Sequence, residues 1–412
     1  MSDTAPTLEH RAYLLMLLVL GALAAFGPLS MDMYLPSLPS ISDDLHTSAT
    51  STQFTMSACI AGLALGQLVA GPLSDALGRR RPLLVGVGAY VVLSLLCAAA
   101  PNVGVLIVLR LLQGLAGAAG LVISRAIVRD RWGGGPAAAR VFSLLTLVSS
   151  IAPVASPLLG GQILRATSWR GVFVVLAAIG VLILLGTLTL DETHPPEQRQ
   201  GSLQATGQAF GLLVRDRVFV CYTVAGGLAG AALFTYISAS PFVIEDAYGR
   251  SAQLFSLMFA ANSVGIMVTG RFSARLVQRV GSASLLRVGL VVQALAGVAL
   301  LGVVAAGRPP LAVLLVPLFF IVAPIGLIGP NSTALALSPH GAIAGSASAQ
   351  LGAFQFLVGA AVGPLAGVAG HESVVPMAVL IAVLSCGGLA ATYAVRAPTV
   401  TRTPVPEVPT AP

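Results

Sequence analysis

The chain has 412 residues with 22 basic and 15 acidic side chains, so only 9% are charged, while 56% belong to the aliphatic and aromatic set before its 45 glycines are counted. A soluble domain carries about 25% charged residues, so this composition excludes a soluble enzyme, a disordered protein and a nucleic-acid binder. With a mean hydropathy of +0.91, a polytopic helical membrane protein remains, because only helices and closed barrels satisfy their backbone in lipid.

Barrel strands would alternate apolar and polar residues over about 10 positions, whereas the apolar runs here are continuous and long enough to cross a bilayer as helices. Twelve spans are predicted, at 12–36, 49–74, 83–100, 103–128, 140–163, 170–190, 218–241, 252–275, 284–305, 310–330, 344–368 and 373–395. The first begins after Arg11; it is too long for a signal-peptide core and more spans follow, so it reads as a membrane helix. The longest internal polar interval, 191–217, divides the spans six and six. The predicted organisation is an N-terminal six-helix bundle (1–190), a cytoplasmic linker (191–217), a C-terminal bundle (218–396) and a Pro/Thr-rich disordered tail (397–412).

Landmarks of the first half recur in the second. Pro36 matches Pro241, Gly71 matches Gly270 and Pro157 matches Pro364, at offsets of 205, 199 and 207 residues. Two parallel six-helix repeats around a central site are a secondary-transporter architecture.

All 22 basic residues are arginine, and their placement sets the orientation. With the N-terminus inside, seventeen arginines fall on that side, and Arg165, Arg170, Arg250 and Arg308 on the other. This asymmetry puts both termini in the cytoplasm. The net charge of +7 is thereby explained by topology and implies no anionic ligand. Cys59, Cys97, Cys221 and Cys386 stand singly in apolar runs and read as small buried residues, not disulfides or metal ligands.

The loop after span 2 reads Gly71-Pro72-Leu73-Ser74-Asp75-Ala76-Leu77-Gly78-Arg79-Arg80-Arg81. It resembles the G-x-L-x-D-x-x-G-R-R signature of the major facilitator superfamily. Gly71 and Gly78 permit close helix approach and a sharp turn, Asp75 is expected to face a neighbouring helix N-terminus, and Arg79 to pair with Asp130 below span 4. The alternative is a positive-inside loop with no gating role. Ala76 departs from the signature, and the second-half copy, Gly270 to Gly281, keeps arginines but lacks the acid. The predicted gate is asymmetric.

Span 5 carries Pro153, Pro157, Gly160 and Gly161, which resemble the proline-glycine motif of drug/proton antiporters, with Ser156 where many members have glycine. Together with Asp32-Met33-Tyr34-Leu35-Pro36, Phe234 to Phe242 and Ala344 to Ala349, the pattern is similar to the bicyclomycin-resistance (Bcr/CflA) family of multidrug exporters. The resemblance covers nearly the whole chain apart from its tails. It implies an all-α membrane protein with twelve transmembrane helices in two six-helix repeats, acting as a monomer in the bacterial inner membrane. Its implied partners are small-molecule drugs, protons and the lipid bilayer.

Two ionisable side chains, Asp32 and Arg110, fall well inside predicted spans. Each costs about 2.5–3.5 kcal/mol at a helix centre on insertion scales and is by default a functional hypothesis. Asp32 could exchange protons and compete for a cationic drug, or simply cap a break before Pro36. Arg110 stays charged, so it is no proton carrier. With Gln113 one turn on, it forms either a polar patch serving Asp32 or a substrate, or a structural contact to helix-end carbonyls. Tyr34, Tyr236 and Gln355 complete the expected cavity, and Gly114, Gly117, Gly359 and Gly363 read as close-packing sites.

The expected activity is export of amphipathic drugs in exchange for protons by alternating access. An exporter of one metabolite or antibiotic, a uniporter, an intramembrane enzyme and a channel are the rivals. The five histidines form no H-E-x-x-H pair. A chain without lysine has no Walker A sequence, so the proton gradient, and no cofactor, is the expected energy source.

Overall fold

A computed structural model describes residues 5–133, 136–195, 211–339, 344–370 and 373–394. The disordered tail predicted at 397–412 and most of the predicted linker lie outside the described residues. Among the described residues there is no strand.

Among the described residues, eleven helices are long and apolar enough to cross a membrane, and a bent pair, counted as one span, supplies the twelfth. Span 1 comprises Ala5–Ala24, Phe26–Asp32 and Leu38–Asp44, with a 3-10 turn at Leu35–Ser37. Spans 2 to 6 are Ala49–Leu77, Arg80–Ala98, Val103–Trp132, Pro136–Ala166 and Trp169–Leu188. Span 7 is Arg217–Phe242, extended by a π-helical turn at Val243–Ala247, and spans 8 and 9 are Ala252–Val280 and Ser282–Ala305. Span 10 is Leu311–Val322 plus Ile325–Leu337, span 11 is Ala344–Val362 plus a 3-10 turn at Gly363–Gly367, and span 12 is Val375–Tyr393. An even number of spans returns the chain to the end where it began, here termed the terminal end.

Short loops start the helices with side-chain caps. The hydroxyls of Ser48 and Ser251 accept from the Ser51 and Leu254 amides, Asn102 from Val105, and Asp216 from Val218 and Phe219. Each satisfies an amide that the first helical turn leaves without a partner.

Two predicted ends are corrected. Spans 1 and 7 do not stop at Pro36 and Pro241 but run on to Asp44 and Ala247. Proline removes one N–H and crowds the carbonyl four residues back, which bends a membrane helix without ending it when neighbours satisfy the freed group. Pro28 illustrates this: span 1 bends by 42° between Ala24 and Phe26, and the Ala24 carbonyl accepts from the Ser149 hydroxyl of span 5 at 3.3 Å.

Within the first half, spans 2 and 4 pack at backbone distance. A Cβ on Gly62 or Gly114 would collide with the carbonyl of Leu111 or Cys59, so only glycine fits. At the far end, Asp44 of span 1 accepts from Trp169 Nε1 at 3.0 Å and Arg170 Nη1 at 2.5 Å, joining spans 1 and 6.

The halves meet at that same far end. Gln53 Nε2 of span 2 donates to the Ser238 carbonyl of span 7 at 3.2 Å, and Gln253 Nε2 of span 8 to the Gly161 carbonyl of span 5 at 3.1 Å. A Cβ on Gly161 would fall 2.6 Å from Ser256 Oγ, and one on Gly367 2.5 Å from Gln53 Oε1. Toward the terminal end a cavity of about 620 Å³ lies between span 5 of the first half and spans 8 and 10 of the second.

The cysteine expectation holds for Cys59 and Cys97, which are buried, but not for Cys221, which is half-buried, or Cys386, which is exposed. Cys386 lies on span 12, whose sequence is apolar on every side, so an apolar run does not distinguish an inward from a lipid-facing position.

Candidate functional site

Asp32 ends the helical segment Phe26–Asp32, just before the chain tightens into the Leu35–Ser37 turn. It is only 7% exposed, and among the described residues it enters no hydrogen bond or ion pair. No ion pair joins it to Arg110.

Arg110 is fully buried and belongs to a ring of contacts across spans 1, 3 and 4. Its Nη1 donates to Gln113 Oε1 at 2.7 Å and its Nη2 to the Ser30 carbonyl at 3.1 Å. That carbonyl is left free where the helix ends at Asp32, so the guanidinium caps a C-terminus whose dipole favours a cation. Gln113 Nε2 donates to Ser94 Oγ at 2.7 Å, Ser94 donates to the Tyr90 carbonyl at 2.7 Å, and the Tyr90 and Ser30 hydroxyls meet at 2.6 Å. The guanidinium carbon lies 4.5 Å from the centre of the Tyr34 ring and 5.6 Å from that of Phe173. Two aromatic faces thus offer the cation its compensation in place of a carboxylate. Tyr34 is buried, with its hydroxyl on Thr55 Oγ1.

The second half uses neutral groups. Asn262 Nδ2 donates to the Tyr236 hydroxyl at 2.7 Å, and the Tyr236 ring stacks on Phe259 with centroids 6.1 Å apart. Gln355 is half-buried against Gly226, where a Cβ would lie 3.3 Å from its Nε2. The four glycines expected at close-packing sites also face neighbours. Besides Gly114 on Cys59, Gly117 faces Tyr90, Gly359 the Phe234 ring and Gly363 Ser57 Oγ.

At the terminal end the signature loop closes into a clamp. Gly78 adopts a φ of +86°, a left-handed value that glycine tolerates and other residues do not. The turn folds Arg79 inward, leaving it 1% exposed. Arg79 Nε donates to Asp130 Oδ2 at 2.7 Å, and Nη1 donates to Asp75 Oδ1 at 2.5 Å and Ser74 Oγ at 2.8 Å. Burial pulls the Arg79 guanidinium down, but the bonds to Asp130 and Asp75 outweigh it and the net direction is up. The expected Arg79–Asp130 pair is present. Asp75 departs from expectation: its side chain is 42% exposed and turns back onto Arg79. Among the described residues it reaches no helix N-terminus, because the i+4 guanidinium on its own loop is nearer.

Glu192 completes the clamp, accepting from the Arg79 amide at 2.8 Å and the Arg80 amide at 3.1 Å. Arg80 reaches the Leu188 carbonyl at 3.0 Å. Glu192 was legible only as the start of a polar interval; an acid just beyond a span and facing an arginine loop was the available signal.

Glu245 was also missed. Ending span 7 at Pro241 placed it in a loop, whereas the π-helical turn carries it into the packed far end, with Oε1 buried and no partner among the described residues. Of the predicted site residues, only Pro153 lines the 620 Å³ cavity. Asp32 and Arg110 occur in neighbouring parts of the first half, and Tyr236 and Gln355 belong to the second, with Tyr236 in the same buried cluster as Met33 and Tyr34. Gly71, Pro157 and Gly160 lie on the helices where they were expected, and a Cβ on Gly160 would collide with the Met33 carbonyl just after Asp32.

Comparison with known proteins agrees with this arrangement. The Major Facilitator Superfamily model matches residues 18–364. The chain is 40% identical over 391 residues to the uncharacterized MFS-type transporter YdgK of Bacillus subtilis (strain 168), covering 93% of this chain and 95% of that one. It is 31% identical to the bicyclomycin resistance protein homolog of Haemophilus influenzae, covering 90% of this chain and 93% of that one. Among solved structures, a D-xylose-proton symporter shares the fold with a TM-score of 0.71 at 17% identity, covering 93% of this chain and 96% of that one. The protein is a multi-pass membrane transporter of small molecules, and it belongs to the Major Facilitator Superfamily, in the group that includes the bicyclomycin resistance proteins.

Proposed function

We propose that the protein exports amphipathic drugs from the bacterial cytoplasm across the inner membrane in exchange for protons, by alternating access. The observation that carries this reading is Asp32, a 7% exposed carboxyl with no hydrogen bond or ion pair among the described residues, set at the break of span 1. A buried acid without a fixed partner can gain and lose a proton as its surroundings change. The likeness to a bicyclomycin resistance protein homolog supports drugs as cargo.

In this reading Asp32 carries the proton, and Tyr34, Arg110, Gln113, Tyr236 and Gln355 face the substrate path as the halves rock. Gly71, Asp75, Gly78, Arg79, Arg80 and Asp130 form the cytoplasmic gate, and Pro153, Pro157, Gly160 and Gly161 let span 5 flex and approach span 1 and span 8. The terminal end is cytoplasmic, as its arginine excess argues, so a cavity at that end suits loading from the cell interior. The units are 1–190, 191–217, 218–396 and 397–412, the chain acts as a monomer, and the proton gradient supplies the energy without a cofactor.

The test is drug accumulation in cells expressing the protein, with and without a protonophore, across a compound panel. Lowered accumulation that the protonophore abolishes is expected. Efflux that persists after collapse of the gradient while ATP remains would overturn the coupling.

A further inference from the structure

The two copies of the signature loop differ in their charge balance. In the first half, Arg79 is held by Asp75 and Asp130. In the second half, span 8 presents Arg271, Arg275 and Arg279, all exposed and none in an ion pair among the described residues. Spaced four residues apart, they rise one turn at a time toward the terminal end, each step rotating about 40° around the helix. The first of them, Arg271, is the only charged residue among the described residues lining the 620 Å³ cavity between spans 5, 8 and 10.

The rest of the lining has little to offer a polar ligand. Leu147, Ile266, Met267 and Ile325 supply apolar wall. The hydroxyls of Thr146 and Ser150 donate to the Phe142 and Thr146 carbonyls of their own helix at 2.9 and 2.7 Å. Ser149 donates to Ala24, and Ser263 to Phe259 at 3.0 Å. With these protons engaged, the cavity interior is an apolar slot with Arg271 in its lining and, among the described residues, no carboxylate there, and Arg275 and Arg279 follow Arg271 along the same helix.

We propose that this slot seats an anionic phospholipid, with an acyl chain between spans 5, 8 and 10 and the headgroup phosphate on Arg271 and Arg275. Guanidinium groups match phosphate oxygens in paired hydrogen bonds, and Arg279 adds attraction one turn further out. A lipid lodged there holds spans 5 and 8 apart at the terminal end, so it favours the arrangement open at that end.

The test uses the full-length protein, delipidated in neutral detergent and titrated with phosphatidylglycerol, phosphatidylcholine or inorganic phosphate, with bound species counted by native mass spectrometry. Phosphatidylglycerol is expected to bind at least tenfold more tightly than phosphatidylcholine. Each arginine near a membrane surface is worth about fivefold in affinity for an anionic lipid. Arg275→Gln, an exposed substitution compatible with folding, should therefore weaken phosphatidylglycerol about fivefold, and Arg271→Gln with Arg275→Gln and Arg279→Gln roughly a hundredfold. Arg287→Gln, on span 9, should change nothing. Equal binding of the two lipids, an unchanged Arg275→Gln, or competition by millimolar inorganic phosphate equal to that of the lipid would overturn the proposal, the last by showing a site for free anions.

Discussion

The two halves share a fold and divide the chemistry unequally. Buried polar contacts in the first half centre on charge: the partnerless Asp32, Arg110 in its ring with Gln113, Ser94, Tyr90 and Ser30, and the Arg79 clamp. Those in the second half are made mainly by amides and hydroxyls, with the Glu245 carboxyl at the far end the exception. Asn262 meets Tyr236, Asn331 Nδ2 meets Ser273 Oγ at 2.7 Å, and Gln293 Nε2 bonds the carbonyls of Ala229 and Ile321 at 3.3 and 3.0 Å. Charged groups respond steeply to a proton or an ion, whereas neutral pairs are nearly indifferent to pH. An alternating-access machine needs only one half to sense the driving ion, provided the other follows as a rigid partner.

The largest expected effect comes from the carboxyl that defines this asymmetry. Asp32→Asn keeps the volume and most of the hydrogen bonding but cannot ionise. Uphill export should be lost while drug binding persists, and drug-induced proton release from detergent-solubilised protein should disappear. If Asp32 merely capped the break before Pro36, asparagine would serve nearly as well. Proton release like that of the wild type would move the coupling site elsewhere, with Glu245 the next acid to examine.

The clamp should respond next. Arg79 is 1% exposed and its bond to Asp130 is shielded, so Asp130→Asn leaves a buried cation short of a partner. Removing one member of a buried pair costs about 3 kcal/mol, which a lowered thermal midpoint would report. Asp75→Asn should cost less than about 1 kcal/mol, since its side chain is 42% exposed and water screens the pair. Transport in reconstituted vesicles should still slow, because a gate depends on both acids. An unchanged rate for Asp75→Asn would leave the loop as a topology signal alone.

Arg110→Lys sharpens the comparison within the first half. The ammonium keeps the charge but cannot span Gln113 and the Ser30 carbonyl as the planar fork does. A loss of about 2 kcal/mol is expected, from one or two hydrogen bonds to a charged group. Transport retained at that lower stability would assign Arg110 a role through its charge, and transport lost at full stability a role through its geometry.

How much of this was readable beforehand depended on what kind of signal each residue leaves. The spans were legible because a run of apolar residues is a property of sequence alone, and the Arg79–Asp130 pair because the signature names Arg79 and Asp130 is the acid at the inner end of span 4. The ends of spans 1 and 7 were not, since Pro36 and Pro241 look like stops until neighbouring helices accept the freed backbone. The Ser30–Tyr90–Ser94 ring was hidden because single hydroxyls in apolar helices are common and more often bond their own backbone, as Ser156 does to Ala152 at 2.6 Å. Only the crossing of spans 1, 3 and 4 converts them into a network around Arg110. That none of Tyr34, Arg110 and Gln113 borders the 620 Å³ cavity has a related reason: polarity within a span marks burial, and Arg110 and Gln113 bond each other while the Tyr34 hydroxyl bonds Thr55.

The smallest expected effect tests the neutral half. Asn262→Leu removes the donor to the Tyr236 hydroxyl while filling similar space beside Phe259. Tyr236 is 1% exposed, so its oxygen loses a donor that water cannot replace. With one neutral hydrogen bond lost, the cost should be about 1 kcal/mol, visible as a small drop in thermal midpoint. Because no charge is involved, that drop should be the same at pH 6 and pH 8, and the pH profile of transport should keep the wild-type shape. A changed profile would mean that the second half also takes part in sensing the proton, and the division of labour between the halves would fail.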